Sequence, residues 1–226
     1  MPLDMLATAQ TSLIGISNDN EFYSHHYLSE VFRGDIKGLL DDWQRSADDD
    51  ADFIAPPLRL RNLHRDYFAL REKLGRERSV RARIELQRDF FRRLLSALDY
   101  PCQPMDMKLE EGDELPVLGL IGQPGLAQLV LLGALDPDGE GNDPLTLNPV
   151  REQWHGETPP EPALLEMNWE NIISRRIFAQ SQPPRWVLLL SDRQLLLIDR
   201  YKWAQNRLLR FDWEEILGRR DDATLK

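Results

Sequence analysis

The chain has 226 residues, 42% of them hydrophobic and 29% charged, which is enough apolar side chain to bury a core. No apolar run approaches the roughly 18 residues of a membrane span, and the start MPLDMLATAQ lacks a basic stretch followed by an apolar one, so no membrane association is expected and the expected compartment is cytoplasmic. A net charge of −10 argues against a surface that coats DNA throughout, and a single cysteine, Cys102, excludes an internal disulfide and every multi-cysteine zinc site.

In chain order, a start with the look of disorder gives way to Asn18-Asp19-Asn20, whose side chains suit an N-cap. The helix expected there runs to about Phe32, with Phe22, Tyr23, Tyr27, Leu28, Val31 and Phe32 as its apolar stripe. Arg33-Gly34 is expected to break it, and a short second helix follows through Ile36, Leu39, Leu40 and Trp43. The run Asp48-Asp49-Asp50-Ala51-Asp52 and then Pro56-Pro57 read as a solvated link, so residues 1–55 form an N-terminal helical segment ahead of a larger unit, 56–226.

That unit begins with two basic helices over 58–98. Leu60, Leu63, Tyr67, Leu70 and Leu74 recur at spacings of three and four, which puts the basic residues on the opposite face, and Gly75 is expected to end this helix. Ser79 can cap the next one, whose inward positions are Val80, Ile84, Phe91, Leu94, Leu95 and Leu98. Between Pro57 and Arg93 there are twelve Lys or Arg against five Asp or Glu, a local net charge of +7, so the remainder of the chain sums to −17. Such a dipolar chain can present its basic face to nucleic acid or to an acidic protein.

From Met105 the pattern turns to strand: 105–109, 115–121 and 126–135, expected as a three-stranded antiparallel meander with turns at Gly112 and Pro124-Gly125. Residues 136–162, rich in Pro, Gly, Asp and Asn, are expected as a long surface loop. Helical spacing returns from Ala163 to about Ala179. Then RWVLLLSDRQLLLIDR makes a tight hairpin around Ser191-Asp192-Arg193, apolar enough on both faces to lie centrally in the sheet. A strand at Leu208–Phe211 and a short helix at Trp213–Leu217 complete the elements over 185–217. The chain ends GRRDDATLK, where an Asp221 or Asp222 N-cap has almost no helix to lead into, so continuation into a larger protein is expected.

Helix, three strands, helix, strand is the αβββαβ core order of the PD-(D/E)XK nuclease superfamily. The stretch Pro183 to Arg200, with its Pro-Pro-x-Trp-Val-Leu strand, tight turn and second apolar strand, resembles the amino-terminal region of type IIG-like restriction-modification proteins. These are large adenine-specific DNA methyltransferases that carry a nuclease-type domain ahead of the methylase. LLRFDWEEILGRRD (Leu208 to Asp221) is similar to that family's short strand, acidic helix and Arg-Arg-Asp exit, with weaker support from ELPVLGLI (Glu114 to Ile121), from NDPLTLNP (Asn142 to Pro149) and from the first helix.

The resemblance implies an α/β fold with a mixed sheet and a restriction-endonuclease-like core, preceded by a helical subdomain. It also exposes a gap. Nuclease chemistry of this kind needs two or three carboxylates and a lysine around Mg²⁺, the acids as hard oxygen ligands and the lysine to orient the attacking water. Asp113 or Glu114 corresponds to the acid at the start of the second core strand, and Glu85 to the one on the first helix. On the third strand the required acid-x-Lys falls among Leu132, Gly133, Ala134 and Leu135, none of which binds a metal. A degenerate site without catalysis is therefore expected, with an active Mg²⁺ nuclease using Glu85, Asp113 and Glu114 as the remote alternative. No Asn-Pro-Pro-Tyr tetrad and no glycine-rich loop for S-adenosylmethionine occur, so the methylase and its cofactor are expected after Lys226 and no cofactor within this segment.

Other constellations are weak. His25-His26 point about 100° apart on a helix, the sequence lacks His-Glu-x-x-His, nucleophile-elbow and Walker signatures, and Trp186 and Trp203 flank apolar strands as core aromatics do. The positive electrostatic signal lies in Arg59, Arg61, Arg65, Arg76, Arg78, Arg81, Arg88, Arg92 and Arg93, expected to contact DNA phosphates and so to position rather than read sequence. The competing expectation is a non-enzymatic interaction domain whose basic helices dock an acidic partner.

Overall fold

The computed structural model describes residues 14–123, 126–156 and 159–218. The elements in order are β1 (Ile16–Asp19), α1 (Phe32–Asp49), α2 (Pro56–Asn62), α3 (His64–Arg76), α4 (Val80–Ala97), β2 (Met105–Lys108), β3 (Glu114–Val117), β4 (Gly119–Gln123), β5 (Leu126–Gly133), α5 (Pro162–Glu166), α6 (Trp169–Ile172), β6 (Trp186–Leu190), β7 (Gln194–Asp199), α7 (Arg200–Trp203), β8 (Leu208–Asp212) and α8 (Trp213–Gly218). Six strands form one mixed sheet in the order β1-β8-β7-β6-β5-β4, and β2 and β3 form a separate hairpin. Every neighbouring pair in the large sheet is antiparallel except β5 and β6.

Alternation along the central strands builds two cores at once. Leu188 and Leu190 of β6 face α3, α4 and α8, while Val187 and Leu189 face α6 and the turn that follows it. Both sets are buried, which is why β5, β6 and β7 read as nearly unbroken Val, Leu and Ile. The result is a three-layer α/β/α arrangement, with Phe91, Leu94 and Leu95 of α4 on one side and Trp169, Ile172 and Ile173 on the other.

Several local expectations are corrected. Residues 16–19 form a strand against β8 where a coil and helix cap were expected, and the helix begins only after Ser24, whose Oγ accepts from the Tyr27 N–H at 3.2 Å. Asn18 instead pins the turn to Tyr23 through both its amide atoms. Arg33-Gly34 does not break the chain into two helices: helical structure continues through a π-turn at Tyr27–Val31 into α1. A glycine inside a helix costs about 1 kcal/mol but ends it only when the backbone turns left-handed. The expected single helix over 60–74 is split at Leu63, and α3 runs one residue past Gly75.

The expected helix over 163–179 is interrupted at Met167, which is extended, because Asn168 caps α6 through Oδ1 on the Asn171 N–H at 2.9 Å. The three-strand meander is modified in the same way. Strand 115–121 changes sheets at Leu118, whose N–H donates to Leu131 at 2.7 Å while its carbonyl accepts from Gln103 at 2.8 Å. Gly119 permits the change, since a Cβ there would sit 2.8 Å from the Pro101 carbonyl oxygen. The expected Pro124-Gly125 turn and the chain end after Gly218 lie outside the described residues. Val80, expected inward, is exposed, and Phe90 and Gln87 are buried in addition to the expected positions.

The two cores differ sharply from α1, in which no residue is buried. Trp169→Ala is expected to lower unfolding free energy by about 3–5 kcal/mol through the cavity it leaves, while Trp43→Ala on α1 should cost about 0.5 kcal/mol or less. Denaturant midpoints of the two variants check this.

Candidate functional site

The sheet and α4 enclose a pocket of about 240 Å³ where α4 meets the end of β3 and β5. Glu85, Arg88 and Arg92 enter it from α4, Val117 and Leu118 from the middle strand, Gly133 and Leu135 from β5 and its exit, and Gln153 and His155 from the long loop. Of the three expected acids, only Glu85 borders this pocket, and it pairs with Arg88 at 2.8 Å. Asp113 lies elsewhere, 3.8 Å from Arg176, and a hydrogen bond with it pushes the Glu161 carboxyl upward. Glu114 contributes its backbone carbonyl, which accepts from the Trp154 indole at 2.8 Å.

The pocket wall along β5 is closed to ligands for steric as well as compositional reasons. A Cβ on Gly133 would lie 3.1 Å from the Phe91 ring, and the Gly133 carbonyl already accepts from the Gln153 side chain at 2.8 Å. Ala134 is fully buried and packs in the core on the far side of the sheet. Burial raises the Cys102 thiol above its ordinary pKa, which disfavours the thiolate. Among the described residues no group of three His, Cys, Asp or Glu is placed to hold a metal ion. The residues present do not fit the Mg²⁺ that the nuclease resemblance would bring.

The nine expected DNA-contacting arginines divide by partner. Arg59 is half-buried and clamps Asp99, whose carboxyl it holds below the usual range. Arg88, also half-buried, ties Glu85 and the Glu152 carbonyl to α4. Arg76 pairs with Glu72 at 2.7 Å, Arg92 with Asp89 at 3.1 Å, and Arg93 with Asp66 at 2.9 Å and Asp89 at 2.8 Å, all in exposed settings. Arg61 is exposed and also makes an interaction. Arg65, Arg78 and Arg81 are exposed and make no ion pair among the described residues, which leaves their guanidiniums available to an outside anion.

A second polar constellation was not anticipated. The parallel strands β5 and β6 each lead into an aspartate, Asp136 and Asp192, and both are fully buried. Asp136 accepts backbone N–H bonds from Asp138 at 3.0 Å, Gly141 at 2.9 Å and Asn142 at 3.0 Å, which folds the start of the long loop around its carboxylate. Gln87 of α4 completes the anchor by exchanging two 2.7 Å bonds with the Asp136 backbone. Asp192 pairs through one oxygen with Arg71 of α3, and its other oxygen is buried without a partner. Burial pushes its pKa up to about 6, with Asp136 adding to the rise and Arg71 opposing it. Arg83 reaches the Pro137 carbonyl at 3.0 Å, so three side chains of the basic helices, Arg71, Arg83 and Gln87, are spent on holding this loop and turn. The sequence did carry a trace of it: both apolar runs, LLGALD and VLLLSD, end on Asp.

Comparison with known proteins returns no matching family model, no matching curated protein and no matching solved structure.

The Asp192 environment sets a pH dependence. Its folded pKa is raised, so protonated Asp192 favours the fold below about pH 4, and this contribution is lost as pH rises through about 6. Arg71→Met removes the cation that pairs with the buried carboxylate and is expected to cost on the order of 3 kcal/mol at pH 8. The loss should shrink at pH 5, where Asp192 takes up a proton. Melting temperatures of wild type and variant across that range check the sign.

Proposed function

We propose that this chain is a nuclease-derived domain that binds DNA without cutting it and serves as the N-terminal module of a restriction-modification, phage-defence adenine DNA methyltransferase. The observation that carries the reading is the arrangement around the 240 Å³ pocket. Helix α4 precedes two antiparallel pairs, β2–β3 and β4–β5, and a helical crossover returns β6 parallel to β5; this supports the helix–strands–helix–strand order of a PD-(D/E)XK core, with four strands in two sheets in place of the single three-stranded meander expected. The pocket lies between α4 and those strands, where nuclease ligands would be needed, and among the described residues only Glu85 supplies a carboxylate there.

In this reading phosphate contacts fall to Arg65, Arg78 and Arg81, with the exposed paired arginines Arg76, Arg92 and Arg93 able to exchange a carboxylate for a phosphate. Arg59 and Arg88 hold the helices in place. The contacts give affinity and register without base readout, since arginine–phosphate contacts carry no sequence information. In this reading S-adenosylmethionine and methyl transfer would fall to a separate methylase module, which this domain would brace. A second reading, an interaction domain that docks an acidic partner, draws support from the groove between α3 and α4, which Lys73, Arg76 and Arg81 line together with Ala82 and Leu86 and with Glu77, Glu85 and Asp89.

Gel-shift titration of duplex DNA at several salt concentrations tests the first reading. Affinity should fall as salt rises, and the triple change Arg65→Ala, Arg78→Ala, Arg81→Ala should weaken binding and reduce the log–log salt slope by about one per lost contact. Plasmid incubated with Mg²⁺ or Mn²⁺ should stay intact. Salt-independent affinity, absent binding, or a nicked plasmid that Glu85→Gln protects would contradict it.

A further inference from the structure

We infer that α1 docks on the α3–α4 groove of a second copy of this chain, each copy giving one helix and receiving one. The helix is amphipathic: Phe32, Ile36, Leu39, Leu40 and Trp43 recur along one face. Yet none of its residues is buried, Leu39 is 49% exposed, and among the described residues its substantial packing is with the π-turn that leads into it. Side chains added at Gly34 or Gly38 would meet no heavy atom within 4 Å. An 18-residue helix with an apolar stripe is marginal alone in water, and most helical stability comes from packing that stripe.

Charge selects the occupant. Residues 30–52 carry eight acids and three bases, and Asp41, Asp48 and Asp49 make no ion pair among the described residues. That excess disfavours DNA and anionic membranes as partners. The complementary surface is on the same chain. The α3–α4 groove, about 820 Å³, has Ala82 and Leu86 in its lining, and Lys73 and Arg81 there are without ion pairs among the described residues. Arg65 and Arg78 add two more such cations on the same helices and their connection. The acids that share the groove are engaged locally: Glu85 with Arg88, Asp89 with Arg92 and Arg93, and Glu77 with the Ser79 N–H.

Because donor and acceptor surfaces both belong to one sequence, two copies related by a twofold axis satisfy both at once. A stable interface buries on the order of 1,200 Å² or more, and an apolar helix face about 27 Å long, used twice, is of that scale. The inference rests on the second reading of the basic helices, since it names their acidic partner.

Sedimentation equilibrium on the full chain tests it. Wild type should have twice the monomer mass at low salt and dissociate as salt rises. Trp43→Glu should be monomeric, with the melting temperature of wild type dissociated at high salt. Two charge-reversed variants, Asp41→Lys/Asp48→Lys and Lys73→Glu/Arg81→Glu, should each dimerise at least about tenfold more weakly, and an equimolar mixture of the two should regain the dimer mass. A wild type that stays monomeric, a dimer that Trp43→Glu leaves intact, or a mixture that fails to reassociate overturns the inference. Binding of poly-L-aspartate separates the two levels: a monomer that binds it retains the second reading, and a monomer that does not loses both.

Discussion

The fold depends on one pairing, the parallel contact between β5 and β6 at the middle of the large sheet. Parallel strands need a long crossover, and here that crossover is the stretch from Asp136 through α5, α6 and the turn at Ile173–Ile177, which together build one apolar layer. The other layer, α3, α4 and α8, packs on the opposite face of the same strands. Both strands lead into buried aspartates, so their ends are fixed by hydrogen bonds as firmly as their middles are fixed by Leu and Val. Gln87 and Arg71 transmit that constraint to the basic helices, whose position relative to the sheet is set by two polar anchors as well as by Phe91 and Leu94.

The same packing explains the chemistry of the pocket beside β5. A carboxylate on this wall would need space that the Phe91 ring and the Gln153 amide occupy. Apolar closure and the lack of a carboxylate along this wall are thus one structural fact, since the Phe91 ring that seals α4 onto β5 also fills the space beside Gly133. The basic helices are subject to a comparable division. Arg59, Arg71, Arg83 and Arg88 hold the architecture together, and this reduces the apparent +7 of the segment to a smaller set of cations that can meet an outside anion.

How much of this was legible depended on whether the information was local. The hairpin at Ser191-Asp192-Arg193 and the Ser79 cap were readable because turn chemistry and apolar period agree within a few residues. β1 was not, because Ile16-Ser17-Asn18-Asp19 has no strand pattern of its own and owes its register to β8 and to the Asp19–Arg210 pair at 2.8 Å. The split of residues 115–121 between two sheets rests on a close approach to Pro101 that no periodicity reports. Glu85 borders the pocket, whereas Asp113 and Glu114, assigned to the same place from sequence order alone, lie at the start of β3, which pairs with β2 in a separate hairpin outside the large sheet. Asp136 and Asp192 looked like ordinary turn residues until the parallel pairing made them neighbours, and the ion pairing of the arginines depends on helix packing that composition does not encode.

The β5 wall, apolar and closed, leaves the pocket beside it without a cation site among the described residues. Titration with Mn²⁺ in the absence of DNA, followed by electron paramagnetic resonance of the free ion, tests it most directly. The free-ion signal should rise with total Mn²⁺ as it does in buffer, for wild type and for Glu85→Gln alike. One tightly held Mn²⁺ per chain, released in the Glu85→Gln variant, would contradict it.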